Sequence, residues 1–179
     1  MSVTLYLIRH AHAGQGNPDD PQDHLRPLSA KGRQQAEILA HTCTHLGVNF
    51  DRLFSSPYSR AVQTAEPLLQ LTGGALETLF ELTSNAYDDL LTTLQGVLKP
   101  DDDTVALVGH EPFLSAFVSF LLTGDEESVK LRFRKGMMVE LGGPLRAGGL
   151  ELRSALSSRQ LERLSNRSAH ATFPPNRPG

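Results

Sequence analysis

The sequence predicts an α/β fold, a three-layer αβα sandwich around a mainly parallel sheet. Three observations carry that prediction. Short apolar runs at 3–8, 52–55 and 104–108 read as strands, the first buried on both faces. Segments with helical apolar spacing lie between them. Polar residues gather just past each strand's carboxyl end, the edge where open parallel sheets hold ligands.

The elements follow in order. VTLYLI at 3–8 is β-branched and aromatic, and 13–28 is a loop rich in Gly, Pro, Asp and Asn. Ser29 is an N-cap for a helix over about 30–46. That helix keeps Ala36, Leu39, Ala40, Cys43 and Leu46 on one stripe and is closed by Gly47. A short strand at 52–55 leads to Pro57, which suits a first helical turn, and a helix to about Leu71. Leu76–Leu79 is a short strand or extended link, and 86–98 is helical. Pro100 and Asp101–Asp103 make a turn before the strand TVALV at 104–108. Pro112 opens a helix through Leu122. Strand-like patterns return near Met137–Leu141 and Leu150–Arg153, followed by a short helix near 157–164 and a loose, polar tail. With no internal repeat, 1–160 is expected to be a single domain and 161–179 its tail.

Composition excludes several classes. At 179 residues the chain can bury a sizeable core. No apolar run approaches the ~20 residues of a membrane span, and no basic n-region precedes the first one, so a cytoplasmic protein is expected. The net charge of −3 offers no global field for nucleic acid. The single Cys43 permits neither an internal disulfide nor a thiolate metal cluster. Arginines far outnumber lysines. The arginine fork suits bidentate contacts to phosphate or carboxylate, although most arginines simply lie on surfaces.

Four motifs carry chemistry. Arg9-His10 ends the first strand; a lone histidine there is more often a packed structural group, but an adjacent arginine tilts the balance toward function. In SSPYSRAVQTAE at 55–66, Arg60 sits in the first turns of a helix, where the dipole disfavours a cation unless an anion is near. In LVGHEPF at 107–113, His110 repeats the placement of His10. In RPLSAKG at 26–32, Arg26 lies in the loop leaving His10. Two chemistries compete for His10: a phosphate-handling nucleophile, or an H-x-H metal site with His12.

Together RHA at 9–11, RPLSAKGRQQA at 26–36, SSPYSRAVQTAE at 55–66 and VGHEPF at 108–113 resemble the histidine phosphatase superfamily, which is phosphoglycerate mutase-like in fold. Within it the chain resembles the small bacterial phosphohistidine phosphatases of the SixA type, well over about 1–123 and loosely beyond. The resemblance implies that His10 is the nucleophile, transiently phosphorylated, that Arg9 and Arg60 bind the phosphoryl oxygens, and that His110 completes the pocket. Arg26 is implied as a further phosphate contact or a support for the loop. No metal or cofactor is implied. Ala11 stands where the family commonly has glycine, and His12 lies outside the motif. Larger members carry a carboxylate acid within inserted segments; this short chain has no obvious insertion, and Glu81 in LFELTSNAYDDL is its candidate general acid. An open pocket without an efficient acid favours phosphoramidates, hence a phosphohistidine-bearing protein and a signalling role. The alternatives are a phosphatase of a small phosphorylated metabolite and, further off, a non-catalytic phosphate-binding module. The oligomeric state and the phosphorylated partner are not legible in the chain.

Overall fold

In the computed structural model, which describes residues 1–17 and 19–169, the continuous apolar run at 3–8 becomes one of the two central strands of a six-stranded sheet. The strands are β1 (Ser2–Arg9), β2 (Arg52–Ser55), β3 (Leu76–Thr78), β4 (Thr104–Gly109), β5 (Met138–Pro144) and β6 (Glu151–Leu156). Their order is β3-β2-β4-β1-β5-β6. The first four are parallel, while β5 and β6 add antiparallel strands on one flank.

Five helices cover the sheet: α1 (Ala30–His45), α2 (Ser59–Ala65), α3 (Tyr87–Val97), α4 (Phe113–Thr123) and α5 (Ser158–Ala169). Alternation along β1 and β4 explains why both needed unbroken apolar runs. Leu5, Leu7, Val105 and Leu107 pack with α3 and α4. Tyr6, Ile8, Ala106 and Val108 pack with α1, α2 and α5. Each strand is thus buried twice, the signature of a parallel sheet between helical layers.

The structure moves some boundaries. Pro57 does not open α2; the chain bends at Pro57, Tyr58 takes an extended backbone as the N-cap, and the helix begins at Ser59. Past Ala65 it tightens into a 3₁₀ turn over Glu66–Leu71, with Pro67 in its first turn. The final helix continues to Ala169, into the segment expected to be tail. Leu161, fully buried against the α1 layer, shows why: this helix has an apolar stripe to bury. The loose tail expected beyond it lies outside the described residues. No described helix is long and apolar enough to cross a membrane.

Candidate active site

Register brings the motif residues together. Arg9 pairs with Gly109 across β1 and β4, so His10 and His110 leave adjacent strands at the same height. The His10 backbone N–H donates to the Gly109 carbonyl (3.0 Å), and the Ser56 N–H to the Val108 carbonyl (2.9 Å). The two imidazole rings lie 5.1 Å apart between centroids.

The tautomer of His10 follows from its surroundings. Its Nδ1 lies 2.7 Å from the Ala11 carbonyl, an acceptor only, so Nδ1 carries the proton and Nε2 the lone pair. Burial, with Arg60, Arg9 and Lys135 close by, pushes its pKa down to about 3 against the opposing pull of the Ala11 bond. The ring is 5% exposed and neutral at pH 7. A neutral imidazole with a free Nε2 is a nucleophile.

His110 is 9% exposed, and burial with the neighbouring positive groups likewise lowers its pKa to about 3. In the free protein the ring is therefore neutral at pH 7, since burial and the positive groups around it both disfavour the charged form. Its Nε2 lies 2.5 Å from the Ser56 hydroxyl, which also accepts from the Tyr58 N–H. With the hydroxyl donating, Nδ1 of His110 keeps its proton as a donor.

Arg9 and Arg60 each spend one nitrogen on anchorage. Arg9 donates from one terminal nitrogen to the Phe133 carbonyl (2.7 Å), and Arg60 to the Asp23 carbonyl (2.8 Å) while pairing with the Asp23 carboxylate (3.2 Å). The guanidinium of Arg60 also lies over the Tyr58 ring. Arg9 Nε, Arg60 Nε and His110 Nδ1 are the buried side-chain nitrogens without a hydrogen-bond partner among the described residues. Buried donors are normally satisfied; these three exceptions belong to residues close to His10 and have the chemistry to donate to an anion.

Arg26 is used differently. Its Nε donates to Asp23 (2.8 Å) and a terminal nitrogen to the Ala13 carbonyl. Arg26 in turn holds the Asp23 carboxyl below its usual range. Of the two roles implied for Arg26, these contacts are those of loop support. Glu81 lies on the 3₁₀ turn Phe80–Thr83, where its carboxylate accepts from the Thr93 hydroxyl of α3 (2.7 Å). His12 Nδ1 meets the Ser29 hydroxyl (2.7 Å), and no group of three or more His, Cys, Asp or Glu side chains gathers around a common point among the described residues.

The same loop explains RPLSAKG. Ser29 caps α1 by accepting from the Gly32 N–H, and its own N–H and hydroxyl donate to the His12 carbonyl. A Cβ on Gly32 would stand 2.0 Å from that carbonyl oxygen, so only glycine lets α1 approach the end of β1. Four contributors escaped sequence reasoning. Thr64 ties the Ala11 N–H to α2. Tyr58 packs its ring on His110 (4.9 Å). Asp23 joins Arg26 to Arg60. Glu111 is half-buried near Arg9, its pKa raised by burial. Tyr58, Thr64 and Glu111 lie within the quoted motifs, whereas Asp23 lies outside them.

Comparisons with known proteins place this geometry. Residues 5–91 match the family model of the histidine phosphatase superfamily (branch 1). An uncharacterised protein of Picosynechococcus is 30% identical over 133 residues, 72% of this chain and 80% of that one. The chain belongs to the histidine phosphatase superfamily. The phosphohistidine phosphatase SixA of Escherichia coli is 29% identical over 127 residues, covering 69% of this chain and 76% of that protein. A solved structure of the protein histidine phosphatase SixA complexed with tungstate superposes with a TM-score of 0.74 at 21% identity, over 89% of this chain and 99% of that one. As a member of the superfamily the protein is a phosphatase. Arg9, His10, Arg26 and Arg60 fall inside the matched segment, and His110 lies beyond it.

Proposed function

We propose that the protein hydrolyses phosphohistidine on a protein partner, through a phosphohistidine formed on His10. The unpartnered Arg9 Nε, Arg60 Nε and His110 Nδ1, on three residues close to His10, together with a His10 ring that keeps its Nε2 lone pair, carry this reading. In the first step the Nε2 lone pair attacks phosphorus, and the bond to the leaving atom breaks with its electrons going to that atom. Arg9, Arg60 and His110 donate to the equatorial oxygens, where the transition-state charge sits. The His10 ring becomes cationic, and its Nδ1–H stays on the Ala11 carbonyl, which stabilises that charge. In the second step water attacks phosphorus, the P–Nε2 bond breaks, and phosphate leaves with His10 neutral again. Neither step calls on a metal.

The leaving group decides the substrate class. A phosphohistidine protonated on its other ring nitrogen departs as neutral imidazole and needs no acid from the pocket. An alkyl ester does need one, and the carboxylate of Glu81 is held by Thr93. The similarity to SixA supports the same class.

The test is phosphate release from a phosphohistidine-bearing protein and from an aryl phosphate, with chelator, for wild type and His10→Ala. Chelator-resistant turnover, faster on phosphohistidine and lost in the variant, is the expected result. A preference for the ester would transfer the reading to a small-metabolite phosphatase, with Glu81 as the acid to substitute next. No turnover of either by folded protein would leave a phosphate-binding module.

A further inference from the structure

Lys135 lies in the segment RFRKG, which no motif above includes. That segment is stitched to the end of β1 on both sides of the lysine. The Phe133 carbonyl accepts from Arg9, and the Met137 carbonyl from the Arg9 N–H (3.0 Å). Between them the Gly136 N–H reaches the carbonyls of Arg9 (3.1 Å) and His10 (3.2 Å). Gly136 has φ +68°, a conformation glycine adopts without strain, and it turns the chain here into β5. The position of Lys135 is therefore set by the nucleophile's own backbone.

Its side chain is half-buried, and its hydrogen bond is to a neutral acceptor, the Gly14 carbonyl, at 3.2 Å. No carboxylate pairs with it among the described residues. Burial and then Arg9, Arg26 and Arg60 lower its pKa, and its charge in turn opposes protonation of His10. A fourth cation in the field of three others is unfavourable unless an anion visits. Sheet order fixes its side of the site. Arg60 follows β2 and His110 follows β4, on one side of β1; Lys135 precedes β5, on the other.

We propose that Lys135 is a further substrate-binding residue, a fourth cation that leaves the Gly14 carbonyl and engages the phosphoryl group from the flank opposite Arg60. This role rests on His10 and its neighbours forming the phosphoryl pocket proposed above. It makes the pocket bind a phosphoryl dianion in preference to a monoanion. The rival role is mechanical, in which the lysine only pins the loop at Gly14.

Calorimetric titration with inorganic phosphate separates the two, and needs no turnover. It is done at pH 7.5 and low salt on wild type, Lys135→Met and Lys135→Arg. A charge-assisted hydrogen bond lost from a buried anion site weakens binding by about tenfold or more. The expected result is that loss in Lys135→Met, its recovery in Lys135→Arg, and a matching rise in KM exceeding any fall in kcat. Thermal melts of the three proteins certify the fold. Phosphate affinity within about twofold of wild type in folded Lys135→Met would overturn the role of Lys135 and leave the pocket standing. So would a loss that Lys135→Arg fails to restore, since a charge is what the role demands. Absence of phosphate binding by wild type itself would overturn the pocket.

Discussion

Lowering the pH from 7 to 5 should destabilise this fold through His10 and His110. Both rings are buried and neutral, with pKa values pushed from 6.5 to about 3. In the unfolded chain each would take up a proton below about pH 6.5. Between about pH 3 and 6.5 the unfolded state therefore binds more protons, and stability rises with pH across that window. The contribution is complete above 6.5 and is lost progressively as pH falls toward 3. At pH 5 each unfolded ring gains about 2 kcal/mol from protonation, so the pair costs roughly 4 kcal/mol of stability. For a chain of this size about 1 kcal/mol moves Tm by about 2–4 °C, which puts the fall at roughly 8–16 °C. Thermal unfolding followed by circular dichroism at pH 7, 6 and 5 measures it, with the double variant His10→Asn/His110→Asn as control. The double variant should lose most of the slope. A flat Tm in wild type, or the same slope in the double variant, would refute the burial of two neutral imidazoles.

Three further outcomes follow from the same geometry. The pH profile of kcat/KM, which reports free-enzyme groups, should show no enzyme ionisation near 6.5, because His10 holds its lone pair down to about pH 3; an acid limb centred near 6.5, after correction for the substrate, would contradict this. Thr64→Val keeps the shape but strands the buried Ala11 N–H, which now donates to the Thr64 hydroxyl at 3.0 Å. It should cost about 1–3 kcal/mol in denaturant unfolding and slow turnover, and an unchanged midpoint would argue against that bond. Gly32→Ala places a Cβ 2.0 Å from the His12 carbonyl oxygen, so α1 must shift. A loss of about 1–3 kcal/mol, read as a lowered Tm, is expected, and a Tm equal to wild type would mean that α1 does not press on β1.

The residues of β1 and β4 show what was legible before folding. Apolar runs ending in Arg9-His10 and Gly109-His110 announce strands, the first buried on both faces, with chemistry at their carboxyl ends. Burial on two faces is a local property, since every residue of such a run must be apolar whatever it packs against. The helical stripe of α1 and its Ser29 cap are local in the same sense. The start of α2 was not: Pro57 suits a first helical turn, but the chain bends through Pro57 and Tyr58 before the helix starts, with the Ser56 hydroxyl against His110, 54 residues away.

Partner choice was likewise decided only in three dimensions. Arg9 and Arg26 look alike in the chain, yet one keeps a buried nitrogen free beside His10 while the other is spent on Asp23 and Ala13. Arg9 finds its anchor at Phe133, 124 residues on, and the same segment delivers Lys135 to the site. The amino-acid sequence by itself determined the sandwich, the motif residues and their order along one sheet edge, because periodicity and burial are written locally. Tertiary structure alone decided which nitrogen of His10 holds the proton, which arginine nitrogens are left without a partner and which unmarked lysine is brought near them. Those choices depend on acceptors and charges that distant segments bring within hydrogen-bond range.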